Sequence, residues 1–400
     1  MRKFISTKYL TIILSLVYFT SYVTRLNLSA IVQEVINSTG YSKTSFSFVL
    51  VALSITYGVG QVVNGIIGDK VKPQLVILIG LTFATITNFI FPFFSFSITI
   101  LTILWAINGF AQAMMWPPLV RIMVNTFDEE TYNKVVIKVI NSAYVGTILI
   151  YLVSPLIISI LNWKFVFFFS SICGVLALII WSITYNKINI TTQEEKEINK
   201  SFSFPKEALF PIAFIIVAII LQGMLREGIT TWTPSYLVEI FNYSEETSIF
   251  FTVALAILSI VATLIVGYIY RKFINNEVML AALVFSLGVI LLFVLYFTYD
   301  LNSILSISLI AIIMGCIHGV NLCLISFVPK RFKKYGNIST ISGVINSFTY
   351  VGAALSTYGI ALLIENAGWE FTILSWLIIA LIGTLMVIIP FKPWKKFYSQ

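Results

Sequence analysis

Charged residues are scarce in this chain of 400 residues, where Lys, Arg, Asp and Glu together make up 10% and hydrophobic residues 58%. A soluble protein carries about 25% charged residues, most of them on its surface. The apolar residues fall into blocks of about twenty, the length of a helix that crosses a hydrocarbon core of roughly 30 Å. The scarcity of charge therefore excludes a soluble globular protein and predicts an all-α membrane protein.

Histidine and cysteine are also rare, with one histidine and three cysteines in the sequence. Cys173, Cys316 and Cys323 lie within apolar segments, and no CxxC pair occurs. The sequence therefore predicts neither a zinc site nor a disulfide, and we expect no metal or other cofactor. Because the sequence contains no nucleophile elbow and no phosphate-binding glycine loop followed by lysine, we do not expect an enzyme.

Twelve apolar spans are predicted, six on each side of a polar central stretch. The first six lie near 10–31, 45–67, 74–95, 98–123, 138–160 and 164–185. The second six lie near 209–235, 248–270, 278–299, 301–327, 340–363 and 369–390. This pattern predicts an N-terminal six-helix bundle (1–185), a cytoplasmic central loop (186–208) and a C-terminal six-helix bundle (209–400).

The basic residues support this arrangement when both termini are placed inside. They concentrate in the predicted inside segments, with which we group Arg121 and Arg331, and only Lys43 and Lys164 fall in outside loops. This asymmetry is what the positive-inside rule requires. It also explains the net charge of +8 as anchoring beside anionic lipid, so no nucleic-acid partner is expected. We expect a multi-pass protein of the bacterial cytoplasmic membrane with cytoplasmic termini.

The two halves of the chain show a weak internal repeat. Arg25 lies in the first predicted helix and Arg226 in the seventh. Counting onward from Asp69 by the number of positions that separates Arg25 from Arg226 leads to Tyr270. Like Asp69, Tyr270 is expected after the second helix of its half. Symmetry of this kind is typical of transporters built from duplicated bundles, which bind substrate between the halves near the bilayer midplane. We therefore predict two pseudo-symmetric six-helix bundles.

Two arginines stand within predicted membrane helices, where a charge costs roughly 3 kcal/mol by insertion scales. Arg25 lies about 22 Å along its helix, too deep for easy snorkelling. Tyr18, Tyr22 and Arg25 share one helical face at i, i+4 and i+7. Arg25 and Arg226 would repel each other across a bundle unless an anion lay between them. Because the guanidinium fork matches carboxylate and phosphate oxygens, we predict a binding site for a small organic anion.

The two arginines have acidic and titratable residues as alternative partners to a substrate. Each arginine can pair instead with a fixed acid such as Glu227, but adjacent helical residues point about 100° apart, which disfavours an Arg226–Glu227 pair. Glu227 itself is either a proton carrier or a structural partner, and the sequence leaves both open. His318 is a candidate for proton coupling, although a hydrogen-bonding role in the wall of the site is favoured.

Polar residues on further helices extend the candidate site. Any one of them is expected to serve helix packing, but their joint occurrence on helices 1, 2, 5, 7, 10 and 11 favours a common site. The predicted substrate-binding residues are Arg25, Arg226, Tyr18, Tyr22, Tyr57, Gln61, Asn141, Tyr144, His318, Asn321 and Tyr350.

Several segments resemble a known transporter family. GDKVKP, at 68–73, resembles the signature loop of the major facilitator superfamily, with Lys70 where arginine is usual. NGFAQAMMWPPLVRIM, at 108–123, resembles the helix 4 signature of the organophosphate:phosphate antiporters. YVTRLN around Arg25 and LREGITTWTPSYL around Arg226 are similar to the same family. The resemblance covers essentially the whole chain and implies the major facilitator fold.

The resemblance also implies roles for individual residues. Arg25 and Arg226 would bind the phosphate group of glycerol-3-phosphate or a sugar phosphate, in exchange for inorganic phosphate. Tyrosines matching Tyr18, Tyr22, Tyr57 and Tyr350 line the family's cavity, and Gly68, Asp69 and Lys70 would form a conformational loop. Gln61 and Tyr144 depart from the family, because glycerol-3-phosphate carriers have a lysine and a histidine there.

Three functions are compatible with these residues. The first is a secondary transporter that exchanges an organophosphate for phosphate by alternating access, acting as a monomer. The second is a proton-coupled symporter of a sugar acid or other carboxylate, with Glu227 or His318 as the proton carrier. The third is a transporter-like membrane sensor of such an anion. Efflux of cationic drugs is disfavoured, because it requires acids rather than arginines within the membrane.

Overall fold

The computed structural model describes residues 6–41, 43–188, 205–243 and 245–398. Within these ranges the chain is helical, and twelve helices are long and apolar enough to cross a membrane, as predicted. The predicted cytoplasmic central loop falls largely on residues 189–204, outside the described part of the chain.

The described residues of the first half of the chain form eight α-helices. Their bounds are α1 Thr7–Ala30, α2 Val32–Thr39, α3 Lys43–Lys70, α4 Pro73–Ile90, α5 Ile98–Ala113, α6 Trp116–Thr126, α7 Glu129–Ile160 and α8 Lys164–Thr184. The fourth membrane span, Ile98–Thr126, combines α5 and α6. It is interrupted by a turn at Met114 and Met115, directly before Trp116 and two prolines, which lack the backbone N–H that a continuous helix needs.

The second half forms six helices. Their bounds are α9 Lys206–Phe241, α10 Glu245–Lys272, α11 Glu277–Thr298, α12 Ser303–Asn321, α13 Ile338–Ile388 and α14 Phe391–Tyr398. After α12 the chain continues as a π-helical turn, Leu322–Phe327, and a 3₁₀ segment, Val328–Tyr335. The last two spans both lie in α13, which is broken at Gly368 with φ 77°. α2 and α14 were not predicted from the sequence.

Local sequence explains where several helices begin. Side-chain oxygens of Ser6, Asp128, Asn276 and Asn302 accept hydrogen bonds from backbone N–H groups in the first turns of α1, α7, α11 and α12. Such caps satisfy N–H groups that have no partner within the helix. Hydrogen bonding with Thr131 lowers the pKa of the Asp128 carboxyl below its ordinary value.

The helices form two compact units. One comprises Met1–Ser201 with Phe332–Ser347, and the other comprises Phe202–Arg331 with Phe348–Gln400. In the first unit α1 packs against α7 and α8, and α3 packs against α5. In the second unit α12 packs against α9, α10 and α11, while the C-terminal helix α14 packs against α9.

The outer faces of the helices are apolar and the interiors contain polar groups. Ile55, Leu156 and Ile290 are examples of large apolar side chains that are exposed on the protein surface. Asn27, Asn88 and similar amides are instead fully buried. This inversion, relative to a soluble protein, is expected when lipid is the solvent, because buried polar groups can then bond one another.

Candidate functional site

Arg25 lies in an aromatic enclosure in the first unit. Its side chain is 8% exposed, and its guanidinium carbon lies 4.2 Å from the ring centroid of Tyr22 and 4.8 Å from that of Tyr57. Tyr18 packs against Tyr22 at 5.3 Å and against Trp116 at 4.8 Å between ring centroids. Cation–π contacts of this kind offset part of the cost of burying a charge without cancelling it. The predicted grouping of Tyr18, Tyr22 and Tyr57 with Arg25 is present in the structure.

Gln61 lies one helical turn beyond Tyr57 on α3 and is fully buried. Its Oε1 atom accepts a hydrogen bond of 3.0 Å from Nδ2 of Asn346 on α13. Its Nε2 atom has no hydrogen-bond partner among the described residues. Gln61, predicted to bind substrate, is therefore engaged with another helix in this conformation, and Asn346 is its partner.

Asn141 and Tyr144 lie on α7, the helix that packs most extensively against α1. Both side chains are partly exposed. The two helices approach closely because Gly146 has no side chain: a Cβ atom there would lie 2.7 Å from the backbone oxygen of Phe19. This close approach places the polar residues of α7 on a helix adjoining the one that carries Arg25.

Arg226 lies on α9 in the second unit and is partly exposed. Its guanidinium carbon is 5.7 Å from the ring centroid of Tyr350 on α13, and His318 on α12 lies within electrostatic reach of its charge. One turn earlier, Nε2 of Gln222 donates a 3.3 Å hydrogen bond to the backbone oxygen of Ile317. The second unit thus has Tyr350 and His318, two of the predicted site residues, in the surroundings of Arg226, and their part in substrate binding stays a prediction.

Glu227 and Asn321 occupy less enclosed positions in the same unit. Glu227 is partly exposed, and its Oε1 atom accepts a 3.2 Å hydrogen bond from the hydroxyl of Thr231 on the same helix. Asn321 is the last residue of α12, immediately before the π-helical turn. Asn321 therefore joins a regular helix to a distorted segment. Single-turn π-helices of this kind occur frequently at functional sites.

Gly68, Asp69 and Lys70, predicted to form a conformational loop, are the last residues of α3 in the structure, and this end of α3 meets the start of α13. The carboxylate of Asp69 accepts hydrogen bonds from the backbone N–H groups of Ser339 at 2.9 Å and Thr340 at 2.6 Å. A carboxylate in this position caps the helix and is stabilised by its positive N-terminal dipole. Gly68 is buried against Ser339, whose hydroxyl would clash with any added Cβ atom. Lys70 is exposed.

Arg121, counted among the basic residues of the predicted inside segments, lies near the end of the fourth membrane span. It lies within α6 and is 7% exposed. Its guanidinium donates to the backbone oxygens of Gly68 and Val71 and lies 3.9 Å from the Asp69 carboxylate. The position of Arg121 only a few residues after the two prolines, within the same helix, is the sequence signal that could have shown this. Arg121 holds the end of α3 in place.

Arg331 also proves to be part of a buried cluster rather than a loop charge. It donates two 3.0 Å hydrogen bonds to Glu277, which is fully buried. Tyr270 and Trp394 donate to the same carboxylate at 3.0 Å and 2.9 Å. Tyr270 is the residue that the internal repeat matches with Asp69. Asp69 and Tyr270 each lie near the end of the second membrane span of a unit, and each unit therefore has an arginine–carboxylate pair at this place.

The sequence as a whole identifies the superfamily to which this architecture belongs. The sequence profile of the Major Facilitator Superfamily matches residues 14–357. The chain belongs to the Major Facilitator Superfamily. It therefore has two pseudo-symmetric six-helix bundles, and it is a transporter and not an enzyme, as the sequence predicted.

Within the superfamily, the chain is similar in sequence to transporters of phosphorylated compounds. The glycerol-3-phosphate transporter of Bacillus subtilis is 28% identical over 364 residues, which cover 83% of this chain and 80% of the relative. A probable hexose phosphate transport protein of Chlamydia muridarum is 23% identical over 401 residues, covering 92% and 87%. These relatives confirm the predicted resemblance to the organophosphate:phosphate antiporters.

Solved structures agree on the fold. The human organic anion transporter has a TM-score of 0.80 at 12% identity, with 96% of this chain and 100% of that chain covered. At that identity the likeness concerns the fold of the superfamily alone.

Proposed function

We propose that this protein is a secondary transporter that exchanges an organophosphate, such as glycerol-3-phosphate or a sugar phosphate, for inorganic phosphate. The observation that carries the proposal is the burial of Arg25 among aromatic rings in one unit, with Arg226 beside Tyr350 at the matching place of the internal repeat. The names of the relatives from Bacillus subtilis and Chlamydia muridarum support a phosphorylated substrate.

Arg25 and Arg226 would bind the phosphate group directly. A guanidinium presents parallel N–H donors that match two phosphate oxygens, and such charge-assisted bonds are about twice as strong as neutral ones. Tyr22, Tyr57 and Tyr350 would hold the two guanidinium groups in place through their ring faces. Neutralising both arginines makes the loaded carrier easier to convert between its inward-open and outward-open states than the empty one, which is the requirement for exchange.

Asp69 and Arg121 would serve the conformational change. The Asp69 carboxylate stabilises the start of α13 in this conformation, and Arg121 joins α6 to the end of α3. We propose that these bonds break and re-form during alternating access. The distribution of basic residues supports a bacterial cytoplasmic membrane with both termini inside, and a monomer suffices because one chain supplies both arginines.

Proton-coupled uptake of a carboxylate is the second candidate. It is favoured by Gln61 and Tyr144, which stand where glycerol-3-phosphate carriers have a lysine and a histidine. With less positive charge available, a monoanion such as a sugar acid suits the site better than a phosphate ester. Glu227 or His318 would then carry the proton.

Exchange in proteoliposomes tests the proposal. Vesicles containing the purified protein are loaded with phosphate, and uptake of labelled phosphate is measured with glycerol-3-phosphate, hexose phosphates and sugar acids as competitors. We expect saturable exchange that Arg25→Lys reduces at least a hundredfold, because lysine cannot form the bidentate contact. Arg271→Lys, at an exposed arginine, is the matched control and should exchange normally.

Three results would contradict the proposal. Unimpaired exchange by Arg25→Lys would remove Arg25 from the site. Lack of exchange by folded wild-type protein, with proton-driven uptake of a sugar acid, would favour the symporter. Binding without any flux would instead favour a sensor.

A further inference from the structure

A fully buried polar network lies beside Arg25 and was not used in the proposed function. It joins α1 to α4 and α5, and each member is at most 2% exposed. Its members are Ser21, Thr24, Asn27, Asn88, Asn108 and Gln112. Hydrogen bonds between such side chains join membrane helices to one another, and the atoms on which these particular bonds converge assign the network a further role.

The network converges on the peptide group that leads into Arg25. The backbone oxygen of Thr24 accepts a 2.8 Å hydrogen bond from Nδ2 of Asn88 and a 3.1 Å bond from Nδ2 of Asn108. This oxygen belongs to the same planar peptide group as the nitrogen of Arg25. Two side chains from two neighbouring helices therefore fix the orientation of that peptide plane.

Gln112 fixes the orientation of the donors. Its Nε2 atom donates to the hydroxyl of Thr24 at 2.8 Å and to Oδ1 of Asn108 at 3.2 Å. Its Oε1 atom accepts a 2.6 Å hydrogen bond from the hydroxyl of Ser21. A buried network whose members satisfy one another specifies one geometry, since any rotation leaves a polar atom unsatisfied.

We propose that Asn108 and Gln112 are positioning residues for anion binding, which hold α1 so that Arg25 keeps its place against Tyr22 and Tyr57. Binding groups must be held within about 0.5 Å of the productive geometry by the residues behind them. Asn108 and Gln112 belong to the helix 4 segment NGFAQAMMWPP, which gives that segment a physical role. This inference rests on the proposed function, because it concerns the same arginine.

The test separates anion affinity from stability. Asn108→Leu and Gln112→Leu remove donors of the network, and Gln74→Leu is the matched control. Gln74 is a buried amide of the same unit, and its Nε2 atom donates to the backbone oxygen of Ile188 at 3.1 Å, away from Arg25. Purified full-length protein is titrated calorimetrically with glycerol-3-phosphate and with inorganic phosphate, and its thermal unfolding is recorded.

We expect the dissociation constants of Asn108→Leu and Gln112→Leu to rise about tenfold for both probes, since one or two interhelical bonds each change an equilibrium by about threefold. Gln74→Leu should unfold at a similarly lowered temperature but bind as the wild type does. Wild-type affinity in Asn108→Leu and Gln112→Leu would mean that the network only fastens α1, and would overturn the inference.

Thr24→Val covers the case in which the leucine variants do not fold. It preserves the shape and the backbone oxygen but removes the hydroxyl to which Gln112 donates, so a rise of about threefold in the dissociation constant is expected. An unchanged constant would also overturn the inference. Normal binding by Arg25→Lys, or failure of the wild type to bind either probe, would overturn the proposed function instead.

Discussion

At the scale of single residues, Arg25 and Arg331 have different kinds of neighbour, aromatic rings in one case and a carboxylate in the other. Arg25 contacts aromatic rings, each of which contributes about 0.5–2 kcal/mol. Because a ring carries no net charge, these contacts hold the guanidinium without neutralising it, which suits the proposed binding of an anion. Arg331 instead meets the carboxylate of Glu277, so its charge is already compensated. The first environment suits a ligand and the second suits a fixed structural joint.

Glu277→Gln tests the structural joint. The substitution leaves Arg331 largely buried without its counter-charge, which for buried pairs destabilises by about 3–5 kcal/mol. We expect a clear fall in the midpoint of thermal unfolding, measured on purified protein. Glu365→Gln, at an exposed residue of α13, is the control and should unfold like the wild type. Equal midpoints for both variants would show that the pair adds no stability.

At the scale of helices, the sequence predicts which residues share a face of one helix. It does not predict which residues of two distant helices contact each other. The shared face of Tyr18, Tyr22 and Arg25 follows from helical spacing alone, and so does the break before the prolines of α6. The partners of Arg121 lie on α3, about fifty residues earlier, and nothing in the local sequence selects them. The sequence therefore indicated only that Arg121 and Arg331 belong with the basic residues of the inside segments. In the structure both also bind groups inside the protein.

Asp69→Asn tests the capping of α13. Asparagine can still accept one hydrogen bond, but it loses the charge that interacts with the helix dipole and Arg121. We expect a loss of about 1 kcal/mol, which corresponds to roughly 2–4 °C in unfolding temperature, together with a changed rate of phosphate exchange. Asp128→Asn makes the same substitution at the exposed cap of α7. A change in exchange rate in that variant as well would argue against a specific role for Asp69.

At the scale of the whole molecule, composition and charge distribution were sufficient to predict the architecture. Twelve apolar spans and a strong bias of basic residues follow from the physics of the bilayer, which acts on every span independently. The grouping of Phe332–Ser347 with the first unit depends on contacts such as those of Asp69 with α13. Such contacts join residues about 270 positions apart in the sequence, and the local sequence does not specify them.

The orientation of the chain is testable with single cysteines. In a background lacking Cys173, Cys316 and Cys323, Lys392→Cys and Lys164→Cys introduce thiols at exposed positions. With cytoplasmic termini, a membrane-impermeant maleimide should label Lys392→Cys only in inside-out vesicles and Lys164→Cys only in right-side-out vesicles. The reverse pattern would invert the proposed topology.

The hydrogen bond between Asn346 and Gln61 has a consequence for evolution. A lysine at position 61, as in glycerol-3-phosphate carriers, would place an ammonium donor where Asn346 already donates its amide. The amide of Asn346 also carries an acceptor, and a half-turn of that amide would direct its Oδ1 atom at the ammonium. Asparagine at position 346 can therefore bond either a glutamine or a lysine at position 61, so position 61 is able to change while position 346 stays the same. Substrate choice in this branch could then be altered by one substitution, without a compensating change on the neighbouring helix.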